Sequence, residues 1–227
     1  MKSLFFDSGP IITLVMSRLD WILPELKKRF GGEFYITPAV KRELIDRPIN
    51  IRRFEFEALQ VMKLLREGVL KIYQDVPQQE VKSLISLANS SFSARGKTID
   101  IIQQGELESV VAALKTNSKV VIDERTLRLL IENSKAVEGL LEKRFKEDMI
   151  PDKEKIKQFN SITISVEIIR SIELVGVAYQ LGLLDGYIPK RKYGENVLVD
   201  AILWATKYNG CAVTPHEIEE IKQQLLR

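Results

Sequence analysis

The chain reads as an α/β protein: a mostly parallel sheet covered by helices on both faces, with an α-helical C-terminal extension. Three observations predict this. Short apolar, strand-like runs alternate with helical patterns through about the first 130 residues, the order that builds parallel sheets from crossover units. From residue 162 onward the spacing is helical. Acidic residues recur at strand ends, where open parallel sheets place their sites.

Leu4-Phe5-Phe6 is a short buried strand ending on Asp7, and Ser8-Gly9-Pro10 turns the chain into a helix, with Ser8 as a candidate cap and Pro10 near the first turn. A second helix covers residues 21–30 and stops at Gly31-Gly32. Phe34-Tyr35-Ile36 is the next strand, and Thr37-Pro38 starts a helix with a cap and a proline at its first position. Glu43 lies on that helix. Residues 51–67 repeat apolar side chains at helical spacing, Gly68 closes them, and residues 69–73 alternate as a strand. Pro77 opens a helix reaching Asn89, and residues 89–96 read as loop. A helix over residues 104–115 leads through Asn117 into a strand over 119–122. Helices follow over 124–133 and 136–145. The charged, apolar-poor segment 146–159 reads as a linker or flexible arm. Helices over 162–184, 197–208 and 214–226 complete the chain, the last opening with the capping box Thr214-Pro215-His216-Glu217.

At 227 residues, 45% hydrophobic and 29% charged, the composition is that of an ordinary globular protein. No apolar run approaches the roughly 20 residues that span a bilayer. The apolar start, interrupted by Lys2 and Asp7, reads as a buried strand and not as a signal peptide. Cys211 is the one cysteine, so no internal disulfide forms, and a reducing cytoplasm is the expected location. His216 is the one histidine, which excludes a multi-His zinc site. Any metal would rest on oxygen ligands, pointing to Mg²⁺ or Mn²⁺. A net charge of +3 is too small to imply nucleic-acid binding by itself.

The acids supply the candidate chemistry. Asp7 follows the first strand, Glu43 lies on the helix after the second, and Asp123 ends the strand after the long helix that Glu106 and Glu108 open. Gathering such carboxylates is costly unless cations neutralise them. Each acid also has a plain structural role. Asp7 and Asp123 suit helix caps, Glu43 suits a solvated helix face, and Glu106 and Glu108 suit a helix N-terminus. Glu106 and Glu108 flank opposite sides of the apolar stripe Leu107, Val110, Val111 and Leu114, so spacing does not decide which faces a site. Residues 108–124 also align without gaps on 200–216, but Pro215 stands where Asp123 would, so the second copy carries no second site.

Four motifs in order carry a resemblance. Phe5-Phe6-Asp7-Ser8, the stretch from Ile36 through Glu43 to Leu44, Gly105-Glu106-Leu107-Glu108, and Val121-Ile122-Asp123-Glu124-Arg125 together resemble the PIN-domain family, in an archaeal branch with a GExE signature. The double glutamate is also similar to that of flap endonucleases. The likeness covers about residues 3–135. The region from Ile168 onward, with residues 169–174, Ala178-Tyr179 and residues 200–203, resembles the helical extension of archaeal PIN proteins.

The resemblance implies a three-layer PIN-like domain over 1–135, a helix and charged linker over 136–160, and a helical extension over 161–227. It implies a Mg²⁺- or Mn²⁺-dependent endoribonuclease with Asp7, Glu43, Glu106 and Asp123 as catalytic metal ligands. Glu108 joins them as a candidate ligand, and Glu124 lies close by. Two departures stand out: Ile122 replaces a frequent Ser or Thr, and the adjacency of Asp123 and Glu124 leaves either as the ligand. Lys41, Arg42, Arg125, Arg128 and Arg170 are candidate phosphate contacts, with Arg125, Arg128 and Arg170 the expected nucleic-acid-binding set. RNA is the expected partner, with DNA, a second copy, or an antitoxin-like protein as further partners. A regulatory binding protein on the same fold and an RNase H-like nuclease are the rivals.

Overall fold

The computed structural model describes residues 2–227. It is α/β, with a central five-stranded sheet, all parallel and flanked by helices. The strands are β1 (Ser3–Phe6), β2 (Glu33–Ile36), β3 (Leu70–Ile72), β6 (Lys119–Val121) and β8 (Ile168–Ile169), in the order β3-β2-β1-β6-β8. A small antiparallel sheet holds β4 (Phe92–Ala94) between β5 (Lys97–Thr98) and β7 (Ile150–Pro151).

The helices are α1 (Ser8–Met16), α2 (Ile22–Phe30), α3 (Pro38–Lys41), α4 (Glu55–Arg66), α5 (Gln78–Asn89) and α6 (Gln104–Thr116). They continue with α7 (Arg125–Glu132), α8 (Lys135–Phe145), α9 (Lys153–Thr163), α10 (Ser171–Gln180), α11 (Gly194–Tyr208) and α12 (Pro215–Leu225). A π-helical turn, Arg42–Asp46, continues α3.

Alternation along the strands sorts the layers. Leu4, Phe6, Phe34, Ile36 and Val121 pack on one face with side chains of α1, α2, α4 and α10–α12. Phe5, Val120 and Ile122 pack on the other with α5–α9. From β1 the chain winds outward to β2 and β3, then returns to β6 on the opposite side, so the order reverses between β1 and β6. Phe6 pairs with Val121, and the Asp7 N–H continues the ladder to the Val121 carbonyl at 3.0 Å. A crevice outside the carboxyl ends of β1 and β6 is the expected place for a site.

Three expectations differ from the structure. Residues 146–159 are no linker: they contain β7 and most of α9, which Asp152 caps and whose Phe159 is fully buried. The helix expected over 162–184 is broken by β8, which pairs with β6 as the fifth strand. Residues 89–96, expected as loop, contain β4. The sheet therefore crosses the boundaries at 135 and 160, and one apolar cluster joins Leu4 and Phe6 to Val175, Leu203 and Ile218.

No helix among the described residues is long and apolar enough to cross a membrane. Truncation after residue 160 strips β8 from β6 and α10–α12 from the Leu4–Phe6 face. The truncated chain is expected to lose cooperative thermal unfolding by circular dichroism; a sharp two-state melt would show that the region is separable.

Candidate functional site

Asp7 stands at the end of β1 and is 3% exposed. Its Oδ2 accepts the Gly9 N–H at 3.3 Å and so caps α1, while its Oδ1 is buried without any hydrogen-bond partner. Burial raises its pKa from 3.8 to about 7; the Ser8 and Gly9 N–H groups oppose the rise, and the charges of Glu43 and Asp123 add to it. An orphaned buried carboxylate oxygen is rare in a folded protein and calls for a cause.

Glu43 reaches the same region from the π-helical turn after α3, a geometry often found at functional sites. It meets the N-terminus of α6 at Gly105. A Cβ on Gly105 would lie 2.7 Å from Glu43 Oε1, so glycine is what lets that carboxylate lie against the helix.

Glu106 is at the third position of α6, where its Oε2 accepts the Gln103 N–H at 2.9 Å in a capping box. Burial raises its pKa from 4.5 to about 8, opposed by that N–H and reinforced by Asp7, Glu124 and Glu43. Glu124 caps α7, its Oε2 accepting the Leu127 N–H at 2.7 Å. Asp7, Glu43, Glu106 and Glu124 thus act on one another electrostatically at the carboxyl ends of β1 and β6, and Asp123 acts on Asp7 as well.

The other two acids are turned elsewhere. Glu108 is 1% exposed, and its Oε2 accepts the Ala39 N–H at 3.0 Å. Its Oε1 accepts the side-chain amides of Gln104 at 2.9 Å and Gln78 at 3.3 Å, so the carboxylate ties α6 to the start of α3. Asp123 is 1% exposed and takes three short hydrogen bonds. Its Oδ1 accepts the Ser171 N–H at 2.8 Å, and its Oδ2 accepts the hydroxyls of Thr13 at 2.8 Å and Ser171 at 2.7 Å. Three of about four acceptor positions are then filled. Both hydroxyls that reach Asp123 come from residues remote in sequence, Thr13 and Ser171.

Between the two pairs left open by the sequence, Glu106 and Glu124 each accept one N–H, whereas Glu108 and Asp123 each take three hydrogen bonds; the charge of Asp123 still acts on Asp7.

No family model, characterised protein or solved structure matches the chain. The fit of a cation is therefore judged on the residues alone. The open donor set is entirely carboxylate oxygen, one oxygen is buried and unpaired, and two acids are pushed toward their neutral forms. All three suit a hard divalent cation. Among the described residues, no three His, Cys, Asp or Glu side chains already stand in a metal-holding arrangement.

The expected basic contacts are placed unevenly. Arg170 donates to Glu173 Oε1 at 2.8 Å and to Glu217 Oε1 at 2.7 Å, and its side chain is 12% exposed; it clamps α10 to α12. Arg128 is mostly covered and pairs with Glu132 at 3.3 Å. Arg125 is exposed at the first position of α7, beside Glu124. Lys41 pairs with Asp46. A groove of about 170 Å³ beside Glu43 is lined by Ala39, Arg42, Arg47, Gln103 and Gln104. Arg42 and Arg47 are exposed and have no ion-pair partner among the described residues. Arg47 was not singled out from the sequence, although the cluster Arg42, Arg47, Arg52 and Arg53 is visible there.

Two outcomes follow. Gly105→Ala is expected to displace the Glu43 side chain with little change in thermal midpoint, because alanine favours the helix by up to about 1 kcal/mol. Binding of Mn²⁺, measured by calorimetry, should weaken about tenfold or more; unchanged affinity would remove Glu43 from the site.

The second concerns pH. The folded state holds protons on Asp7 and Glu106 that the unfolded chain releases near pH 4, so stability in a chelator should fall as pH rises from about 4 to about 8. Added Mn²⁺ should raise the melting temperature more at pH 8 than at pH 5. A cation effect that is flat in pH would count against these two acids.

Proposed function

We propose that the chain is a PIN-like, Mg²⁺- or Mn²⁺-dependent endoribonuclease that hydrolyses RNA phosphodiester bonds. The observation carrying this reading is the buried, unpaired Asp7 oxygen at the sheet's reversal point, among Glu43, Glu106 and Glu124. Those four residues would hold the cation. Once bound, a divalent cation supplies Lewis-acid polarisation of a phosphodiester and activation of water.

The chain's own groups have separable tasks. Asp7 and Glu106 give up their protons when the cation enters, so binding is linked to proton release. Asp123 is a positioning residue: held by Thr13 and Ser171, it fixes the end of β6 and hence the start of α7, where Glu124 and Arg125 sit. Arg42 and Arg47, in the groove beside Glu43, offer phosphate contacts on one side of the carboxylates. Arg125 offers one from α7.

One observation favours a second reading. Since no three acidic side chains are already arranged around a cation position, the surface would also serve a regulatory protein that binds RNA without cutting it.

Single-stranded RNA incubated with Mn²⁺ separates the two. Wild type is expected to cleave, and Asp7→Asn to lose activity by about 100-fold or more while staying folded. If both proteins bind RNA alike and neither cuts, the binding reading holds.

Asp123→Ala should behave differently from Asp7→Asn. It leaves buried donors of Thr13 and Ser171 unpaired and should destabilise the fold by about 1–3 kcal/mol in urea unfolding. At pH 8, where Asp7 is charged, Asp7→Asn removes a buried, repelled charge and is expected to raise the melting temperature in chelator. Equal destabilisation by both variants would contradict this division of roles.

A further inference from the structure

A second concavity lies away from the carboxylates, between α7, α8 and α9. Its volume is about 1050 Å³, and it is bounded by the ends of β4 and β7. Its walls carry Phe92, Ile131, Ile156, Ile164 and Val166. Ile164 is 83% exposed and adds apolar surface to the rim.

Three cations stand around this apolar floor: Lys135, Lys153 and Lys157. All are exposed, and none has an ion-pair or hydrogen-bond partner among the described residues, whereas the neighbouring Lys155 is engaged by Asp152 at 3.5 Å. Lys135 and Lys153 are the first residues of α8 and α9, so two helix N-termini add their positive ends to the same rim. Ser134, at the cap of α8, makes no capping bond. It instead accepts from Asn160 Nδ2 at 3.0 Å, leaving Asn160 Oδ1 buried with no partner. Glu132 is neutralised by Arg128, so Glu138 is the one acid on the lining without an ion-pair partner.

We propose that this cavity binds a small organic anion with an apolar body, its negative group on Lys135, Lys153 and Lys157 and its body on the Ile131–Ile156–Ile164 floor. The volume lies at the upper end of those that hold one small molecule. The site is distinct from the carboxylate crevice. α7 has Glu124 and Arg125 at its start and Ile131 and Glu132 at its end. At about 1.5 Å per residue, that helix separates the two regions by about 10 Å.

The test is direct binding to the full chain and does not depend on nuclease activity. Anilinonaphthalene sulfonate fluorescence is expected to titrate to saturation at one site. The double variant Lys153→Glu, Lys157→Glu should weaken it about tenfold or more, as should Ile164→Asp. All three residues are exposed, so folding is not at stake, and a matching melting curve verifies this. Ile12→Asp, in a separate apolar groove near Glu43, serves as the control and should leave the affinity unchanged. Dodecanoate and AMP are then offered as competitors. Displacement by dodecanoate assigns an aliphatic body, and displacement by AMP a nucleoside one. Lysine reversal that leaves affinity within about twofold, loss of binding in Ile12→Asp, or displacement by neither competitor at millimolar concentration overturns the proposal.

Discussion

Burial of carboxylates at the end of β1, with their mutual repulsion added, is the constraint around which this fold is arranged. Asp7 must be buried, because it follows the four residues of the central strand and caps the helix packed on the sheet. Once buried, its charge is opposed by Glu43 and Asp123, and Glu106 is in turn opposed by Asp7. A chain selected for stability alone would place a serine or asparagine cap here. Retaining an acid whose second oxygen has no donor costs stability, and such costs concentrate at functional sites.

The C-terminal third of the chain holds this arrangement in place. The Ser171 N–H and hydroxyl reach across to Asp123, and the Ala212 N–H donates to the Asp123 carbonyl at 3.2 Å. Behind that contact, Arg170 bridges Glu173 and Glu217, and Glu217 also closes the capping box with Thr214. Burial alone would raise the Glu217 pKa, but the Thr214 N–H, its hydroxyl and Arg170 outweigh burial and hold it at about 2. The clamp therefore stays charged through the neutral range in which Asp7 and Glu106 titrate. Helices that read as an appendage in sequence are part of the wall that keeps β6 and α7 in register with β1.

What was legible follows from locality. The caps at Thr37, Thr214 and Asp7, the helix stop at Asn117 and the strands through Phe6 and Val121 depend on a few neighbouring residues, and the structure has each of them. β8 depends on residues 120–121, nearly fifty positions away, and two isoleucines between helices give it no pattern of their own. α9 was hidden because its apolar content is thin: Ile156 and Phe159 carry its packing among lysines and glutamates. The acids as a group were visible, since strand-end carboxylates follow from topology. Their orientations were not, because Asp123 is turned by Ser171 and Thr13, and Glu108 by Ala39, all remote in sequence.

The two glutamates of Gly105-Glu106-Leu107-Glu108 show how one short motif serves opposite ends. Residues two apart on a helix face different ways, so only one of them can look into the crevice. Glu108 looks toward α3, where the Ala39 N–H and two glutamine amides satisfy it and fix the helix that leads to Glu43. Glu106 looks into the crevice, and its capping bond to Gln103 leaves it unneutralised there. Gly105 removes the side chain that would keep Glu43 away from both. A glutamate held by three donors thus positions one acid of the cluster, and a glutamate with a single capping bond is another. Substituting either would disturb the site, Glu108 through the placement of Glu43 and Glu106 through the loss of a carboxylate at the cluster itself.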